Sequence, residues 1–536
     1  MPILFLLMHL DFPGLNAQKP YTLDDTLRGS ITPQRDWWDL KYYALKVEVV
    51  PADKFLKGVN QIVYKKIKTG EVMQIDLQIP MEILSVEQNG KQLTFQKKGN
   101  NAYFINTDPS LKIGETGDIK VYYSGKPQIA KRAPWDGGLS WDTDSNGKTF
   151  AATSCQGLGA SVWWPCKDHM YDEPDSMRIA VTVPDSLWDI SNGRLEKMCL
   201  TNDGKRTTEW VVRNPINNYG VNLNIGDYVH FNEIFKGEKG DLTCDYFVLK
   251  ENLEKAKNQF KDVSRMLQAF EYWFGPYPFY EDGYKLVEVP YLGMEHQSSV
   301  TYGNKFKNGY LGKDLSGSGW GLKWDFIIIH ESGHEWFANN ITYKDIADMW
   351  IHESFTNYSE TLFTEFHYGK QAGEDYVIGT RKSILNDRPI IGVYNMNKSG
   401  SGDMYSKGGN MIHTIRHAIN NDEKFREILR GLNSEFYHQT VETSQIENYI
   451  SQKSGIDFSK VFDQYLRNTK IPELELKKTK KGYQYRWTNV VSGFDLPLKV
   501  KIDGKEQMIY PKDSRIQSIS GKQLEVDRNF YITVKQ

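Results

Sequence analysis

The segment from His330 to His334 reads His-Glu-Ser-Gly-His and restricts the fold more than any other feature of the chain. On a helix, residues four apart lie on the same face, so both imidazoles can contact one metal ion. The preceding run Trp324-Asp-Phe-Ile-Ile-Ile is largely apolar and predicts a buried helix over residues 324–339. Zinc is the typical ion of this motif, and the intervening Glu331 then lies beside it as a general base.

A second acidic residue completes the predicted metal site. Glu353 follows His334 by nineteen residues, in an aromatic and apolar stretch that predicts another buried helix over residues 350–367. Two histidines and one glutamate form a three-ligand zinc site with an open fourth position. We therefore predict one Zn²⁺ per chain, held by His330, His334 and Glu353. Glu360, two turns further along the same face, is predicted to orient His334.

Hydrophobic patterns divide the 536 residues into three parts, since the chain is too long for a single core. Residues 18–240 show alternating runs separated by turn signals, which predicts one large antiparallel β domain. Residues 241–470 are dominated by helical spacing, including a stripe over residues 251–274 that ends at Gly275-Pro276. Residues 471–536 return to short alternating strands, which predicts a small β-sandwich.

The first seventeen residues resemble a secretory signal peptide. An apolar run is followed by Leu15-Asn16-Ala17, a small-residue cleavage pattern, although a basic start is lacking. We therefore expect export to the periplasm or the extracellular space, with a cytoplasmic location as the alternative. The four cysteines form no Cys-x-x-Cys pair, so a structural zinc site is not expected.

Charge and hydropathy argue against two classes of partner. Lys and Arg total 66 against 68 Asp and Glu, a formal net charge of −2, so we expect no nucleic-acid binding. No apolar stretch reaches the length that spans a bilayer, so no integral membrane segment is expected.

Taken together, the motifs resemble the aminopeptidase N family of gluzincin zinc metallopeptidases, which includes leukotriene hydrolase/aminopeptidase. Residues 292–296, Leu-Gly-Met-Glu-His, are similar to the family's exopeptidase motif Gly-x-Met-Glu-Asn, with both flanks altered. Tyr405-Ser406-Lys407-Gly408 resembles the family's Tyr-x-Lys-Gly, and Gln156 occupies its position for a substrate-amine contact. The resemblance covers most of residues 36–470.

The resemblance implies a multidomain α+β fold with three parts. These are an N-terminal β-saddle domain, a thermolysin-like α/β catalytic domain and a small C-terminal β-sandwich. The family's typical C-terminal helical domain is not expected, because the residues after Ile471 read as strands.

The resemblance also implies an aminopeptidase that acts on peptides with a free N-terminus. Glu331 and Tyr405 are then catalytic, as general base and as stabiliser of the oxyanion. Glu295 is expected to bind the substrate amine by charge-assisted hydrogen bonds, together with Gln156. Gly293 and Met294 complete the predicted substrate contacts. If His296 lies beside Glu295 and is protonated in mild acid, it is expected to compete with the amine for that carboxylate.

Two other functions stay open at this level. A zinc endopeptidase on the same fold would not use Glu295 to close the cleft, and it would cleave N-acetylated peptides as fast as free ones. A non-catalytic zinc-binding scaffold would hold the metal without turnover. An assay of zinc content and one turnover assay separate these possibilities.

Overall fold

The structure is a computed structural model that describes residues 21–536. The predicted signal peptide, residues 1–17, lies outside the described residues. The predicted multidomain α+β architecture is confirmed: a β-rich N-terminal region precedes a mixed α/β region, and strands follow Ile471. Among residues 21–536, no helix combines the length and the hydropathy that crossing a bilayer requires. Within the same range, all four cysteines are free thiols.

The N-terminal region is built on an eight-stranded sheet. Its strands bury alternate side chains, as the period-two pattern predicts, and Leu45, Val47 and Val49 all point into the core. In spatial order the strands are Arg194–Leu200, Lys205–Val212, Ser176–Pro184, Trp38–Val50, Phe55–Lys66, Thr116–Gly125, Glu82–Gln88 and Lys91–Gln92.

This sheet is not entirely antiparallel, which corrects the prediction. Strands Trp38–Val50 and Ser176–Pro184 run parallel, with Tyr42 opposite Ser176. The chain between them adds further strands to this sheet and also forms one smaller sheet and part of another, and a long connection of this kind is what a parallel pair requires. The first small sheet contains Val72–Asp76, Ala102–Asn106 and Phe95–Lys98. The second contains Trp188–Asp189, Asn224–Gly226, Thr149–Ser154 and Gly138–Thr143.

A five-stranded mixed sheet forms one wall of the α/β region. It begins with the hairpin Tyr228–Gly237 and Gly240–Leu249, so the predicted boundary at residue 240 falls at the start of the hairpin's second strand. Two parallel strands follow, and the last strand to join lies at the sheet edge. These remaining strands are, in spatial order, Tyr284–Glu288, Val300–Tyr302 and Gly293–Met294.

Helices cover the rest of the α/β region. The stripe over residues 251–274 forms two helices that meet at Phe260, Leu253–Gln259 and Lys261–Phe274. The second of them buries Leu267, Phe270 and Phe274. The later helices are Phe326–Gly333, Trp350–Tyr368, Lys370–Thr380, Ser406–Ile419, Asp422–Glu435, Thr443–Ser454 and Ser459–Leu466. A short helix, Leu23–Gly29, opens the described chain, and Ile341–Tyr343 pairs in parallel with Gln439–Val441.

The C-terminal strands form two small sheets around Trp487, which packs edge-on against Phe494 with ring centroids 5.3 Å apart. One hydrophobic core runs from these sheets into the helical region. The Tyr465 hydroxyl donates to the Tyr531 carbonyl at 2.6 Å across the junction. The sheets contain Gln517–Ile519, Gly482–Thr488, Glu473–Thr479 and Thr533–Lys535, and Lys505–Ile509, Leu498–Ile502 and Leu524–Val526.

Candidate active site

The helix Phe326–Gly333 carries the first part of the predicted metal site. It begins after Asp325, whose side chain accepts hydrogen bonds from the backbone N–H groups of Ile327 and Ile328. This N-cap fixes the start of the helix inside the core. His330 lies in its second turn and His334 directly follows its last residue, with the two ring centroids 5.0 Å apart.

This helix ends six residues before the predicted end at Asn339. Phe337 leaves helical geometry, with φ −127° and ψ 77°. Its carbonyl oxygen turns toward the His334 ring and lies 3.1 Å from Nδ1, while Thr356 Oγ1 lies 3.0 Å from the same nitrogen. Because the helix breaks here, the Phe337 carbonyl is available to His334. In a continued helix this carbonyl would instead accept a hydrogen bond from a backbone N–H of the next turn.

Glu353 reaches both histidines from the helix Trp350–Tyr368. Its Oε2 lies 3.4 Å from His334 Nε2 and 3.7 Å from His330 Nε2. Burial opposes its ionisation, but His334 and His330 hold the pKa of this carboxyl well below its ordinary value. Within the described part of the chain, this buried Oε2 has no hydrogen-bond partner.

These three residues fit a zinc ion. Tetrahedral zinc at about 2.0–2.2 Å from its ligands places those ligand atoms about 3.3–3.6 Å apart, close to the separations seen here. One ligand atom from each of His330, His334 and Glu353 falls within 4.8 Å of the other two. The unpartnered Glu353 oxygen is the atom that a bound cation would satisfy.

Glu360 orients His330, not His334 as predicted. Its Oε1 lies 2.7 Å from His330 Nδ1, and its Oε2 accepts a hydrogen bond from the Tyr376 hydroxyl at 2.6 Å. The helix from Trp350 runs so that residue 360 faces the start of the motif, while Thr356 faces its end. With Nδ1 engaged in this way, the neutral form of each ring would offer its Nε2 lone pair to a metal, the arrangement that a ligating histidine needs.

Glu295 follows the edge strand Gly293–Met294, which runs beside the motif helix. Side-chain donors hold the backbone here: Thr301 Oγ1 donates to the Met294 carbonyl at 3.0 Å, and Asn339 Nδ2 to the Glu295 carbonyl at 2.9 Å. A Cβ on Gly293 would lie 2.5 Å from Ile327 and 3.3 Å from Glu331 side-chain atoms. Only glycine allows the strand to approach the helix this closely.

Gln156 bridges Glu295, the predicted amine-binding residue, and Glu353, the predicted metal ligand. Its Nε2 donates to Glu295 Oε1 at 2.7 Å and to Glu353 Oε1 at 3.1 Å. The Tyr219 hydroxyl also donates to Glu295 Oε1, at 3.0 Å. Tyr219 and Asn339 were missed by sequence reasoning, because neither lies at a fixed spacing from a recognised motif. Burial raises the pKa of Glu295 above its ordinary value.

Glu331 and Tyr405 face the same space. Burial raises the pKa of Glu331 to about 7, against the opposing effect of His330. Residue Tyr405 is 38% exposed as a whole, and its ring lies nearly parallel to that of His330, with centroids 6.0 Å apart. Desolvation beside the carboxylates Glu353 and Glu295 raises the pKa of Tyr405 well above its ordinary value. Its hydroxyl therefore stays protonated and can donate a hydrogen bond.

His296 does not approach Glu295 as a competing cation, which corrects the prediction. Its ring is fully buried, and its Nδ1 lies 3.3 Å from Thr301 Oγ1. Burial lowers the pKa of His296 to about 3, so the imidazole is neutral in mild acid.

All nine predicted residues line one cleft of about 480 Å³. Its titratable side chains include Glu295, Glu331, Glu353 and Glu360, while no lysine or arginine from the described chain lines it. The exposed Trp135 also lines this cleft, as do Leu292 and Met294.

Comparison with known proteins agrees with this geometry. The sequence profile of the Peptidase family M1 domain matches residues 258–465. The chain contains a peptidase family M1 domain. The predicted resemblance to the aminopeptidase N family is thereby confirmed, and the matched M1 segment includes Glu295, the histidine motif, Glu353 and Tyr405.

Curated relatives match the M1 domain and the region before it. Probable aminopeptidase 1 of Sulfurisphaera tokodaii is 21% identical over 485 residues, which is 84% of this chain and 57% of that protein. Leucyl aminopeptidase of Saccharolobus solfataricus is 20% identical over 490 residues, 84% of this chain and 59% of that protein. The chain thus spans less than two thirds of the length of these relatives.

The fold surrounding the M1 domain has a solved counterpart. The M1 zinc metallopeptidase of Deinococcus radiodurans superposes with a TM-score of 0.67 at 20% identity, covering 81% of this chain and 95% of that one. A mutant of that enzyme has been solved with a Tyr-Ser-Ala substrate. At this identity the likeness establishes the fold.

Proposed function

We propose that this chain is a zinc-dependent aminopeptidase that hydrolyses the N-terminal peptide bond of peptides. One observation carries the proposal: four carboxylates line the cleft, and no lysine or arginine of residues 21–536 does. Three of them, Glu295, Glu331 and Glu353, surround the metal position with two histidines. A dication leaves this cluster with surplus negative charge, which a substrate ammonium group offsets.

Glu295 is the residue that makes the activity an aminopeptidase activity. Its carboxylate is buried and receives hydrogen bonds from Tyr219 and Gln156, so its position is fixed before substrate binds. A peptide's α-ammonium group can complete its hydrogen bonding with a charge-assisted contact. Holding the amine here sets the register, and only the first peptide bond then reaches Glu331.

Glu331 moves the proton in this scheme. When bound, the one zinc ion per chain that we propose supplies Lewis-acid activation of the scissile carbonyl and of the attacking water. Glu331 takes a proton from that water and delivers it to the leaving amine. A carboxylate beside the attacking water can serve in both roles, first as the base and then as the acid.

Tyr405 and the edge strand bind the scissile carbonyl oxygen and the substrate main chain, respectively. The Tyr405 hydroxyl donates to the oxygen that becomes negatively charged as water adds to the carbonyl. The strand Gly293–Met294 pairs with Val300–Tyr302 on one side and has no strand partner among the described residues on the other. Its open edge is where the substrate main chain could be added as a further strand.

The test compares matched peptides with free and N-acetylated termini. Glu295→Ala should lower kcat/KM on the free peptide by about two to three orders of magnitude, corresponding to roughly 2–4 kcal/mol of lost charge-assisted binding. Glu295→Gln, which keeps the shape but not the charge, should lose nearly as much. Acetylated peptide should be a poor substrate for every form.

The outcomes separate the alternatives. Equal losses on both peptides would make Glu295 structural and favour an endopeptidase. A wild-type protein that binds zinc stoichiometrically but cleaves neither peptide would be a non-catalytic scaffold.

A further inference from the structure

Arg28, on the short N-terminal helix Leu23–Gly29, contacts the loop that carries Gln156. Its Nη2 donates to the Gly157 carbonyl at 2.9 Å. Asn397 Nδ2 donates to the same oxygen at 3.3 Å from the α/β region. We propose that Arg28 is a positioning residue that holds Gln156 in place for binding of the substrate amine. The inference rests on the proposed aminopeptidase function, and it adds a contribution from a segment far from every recognised motif.

The loop after Gln156 has its own backbone hydrogen bonds, from Leu158 N–H to the Gln156 carbonyl at 2.8 Å and from Gly159 N–H to the Cys155 carbonyl at 2.7 Å, and Arg28 supports it from outside. Gly157 and Gly159 both have positive φ, 73° and 96°, a conformation that favours glycine. A Cβ on Gly159 would lie 2.2 Å from both Arg28 Nη2 and Asp168 Oδ2. The loop backbone is therefore packed directly against the Arg28 guanidinium. The carbonyl that this guanidinium holds belongs to Gly157, and Gly159 lies two residues further on.

The helix that presents Arg28 is itself firmly anchored. Arg35 Nη1 donates to the carbonyls of Leu27, Arg28 and Ser30 at 2.9, 3.0 and 2.9 Å, which caps the end of the helix. The Arg35 side chain is fully buried and forms an ion pair with Asp76 at 2.5 Å. This arrangement fixes the backbone position from which the Arg28 side chain extends, so the contact between Arg28 and Gly157 constrains the loop.

The constraint is transmitted to the amine-binding group through one peptide unit. Gln156 donates from a single nitrogen to both Glu295 and Glu353, and this double contact tolerates little movement of its backbone. Arg28 does not line the cleft, so it acts on the substrate through the loop that it holds, in which Gln156 and Gly157 do line the cleft. Releasing the Gly157 carbonyl should loosen the bridge between the two carboxylates without removing any group that touches substrate.

A double-mutant cycle tests this coupling on the full-length, zinc-loaded protein. Arg28→Ala should raise KM for a free-amine aminoacyl substrate by about fivefold to twentyfold, with kcat within about twofold, because amine binding is used equally in ground and transition states. In a Gln156→Ala background the same change should have an effect within about twofold, since the group that Arg28 positions is gone. Zinc content should stay at the wild-type value in all four proteins.

Two further variants serve as controls. Arg178→Ala removes a partly exposed arginine from an ion pair on the eight-stranded sheet and should change KM by less than about twofold. Asn397→Ala removes the weaker donor to Gly157 and should act like Arg28→Ala but less strongly. It keeps the test decisive if Arg28→Ala fails to fold. Equal KM increases with and without Gln156 would overturn the proposal.

Binding of free L-tryptophan by calorimetry separates this proposal from the proposed function. If the wild type does not cleave peptides, yet Arg28→Ala weakens amino-acid binding only when Gln156 is present, positioning holds and the aminopeptidase function fails. If the wild type is active and neither binding nor KM shows the coupling, the function holds and Arg28 has no positioning role.

Discussion

Glu360 Oε1 lies 2.7 Å from Nδ1 of His330 and sets the orientation of that ring. An ionised carboxylate only accepts hydrogen bonds, so the proton of the neutral imidazole stays on Nδ1 and the lone pair stays on Nε2. Nε2 is the atom that lies toward Glu353. Glu360 therefore prepares His330 for a metal without contacting the metal itself.

Replacement of Glu360 by glutamine should weaken zinc binding by about tenfold to a hundredfold, because an amide orients the imidazole less strongly. Competition with a fluorescent chelator measures the affinity. Tyr376→Phe, which removes only the hydroxyl that supports Glu360, is the graded control and should cost less than about tenfold. An unchanged zinc affinity in Glu360→Gln would contradict the orienting role.

Removal of a metal ligand should abolish both zinc and activity. His330→Ala and His334→Ala each leave two protein ligands where zinc sites of this type use three. Elemental analysis of the wild type should give one zinc per chain, and each variant should contain almost none. Full peptidase activity after exhaustive chelation would contradict a zinc-dependent mechanism.

Glu331→Gln should separate metal binding from proton transfer. The residue is not among the three proposed ligands, so the variant should retain one zinc, while kcat should fall by about two to four orders of magnitude. Zinc content and single-turnover kinetics on the same preparation provide the measurement. Loss of the metal along with the rate would show that Glu331 helps to hold zinc.

Tyr405→Phe should lower kcat by about two to three orders of magnitude with little change in KM. Its hydroxyl is proposed to act on charge that develops only in the transition state, and such contacts contribute to kcat. The phenyl ring keeps the stacking against His330, which makes the variant its own packing control. A predominant rise in KM would instead assign the hydroxyl to substrate binding.

The motif residues could be placed from sequence because their spacing is a property of single helices. His330 and His334 share a face by helical geometry, and Glu353 lies on the next long apolar stretch. The same reasoning failed where the backbone departs from regular geometry. The turn at Phe337, which supplies a partner for His334, interrupts a sequence whose pattern continues to predict helix.

Contacts between distant segments were beyond sequence reasoning for a different reason. Tyr219 reaches Glu295 from the end of the N-terminal region, and Arg28 reaches the Gln156 loop from the first described helix. Neither residue type is unusual at its position, and no periodicity relates segments that meet only in the folded chain. The parallel pairing of Trp38–Val50 with Ser176–Pro184 was missed for the same reason.

The last prediction concerns acid and His296, whose pKa burial lowers to about 3 from an ordinary value near 6.5. Between these values the unfolded chain binds a proton at this residue that the folded chain does not. Stability therefore rises with pH in that window. The contribution is fully present above about pH 6.5 and decreases as the pH falls toward 3, by at most about 1.4 kcal/mol per pH unit.

His296→Asn should remove this share of the acid sensitivity. Asparagine cannot titrate, and its amide can still hydrogen-bond with Thr301. The fall in Tm between pH 7 and pH 5 should be smaller in the variant than in the wild type. Buried His169 and His417, whose pKa values are also lowered to about 3, should keep both proteins acid-sensitive.

The shape of the kcat/KM profile over the same range should not change, because a neutral His296 does not compete for Glu295. If kcat/KM falls in acid in the wild type but not in the variant, His296 does compete with the substrate amine for Glu295. An identical fall in Tm in both proteins would show that His296 does not contribute to acid sensitivity.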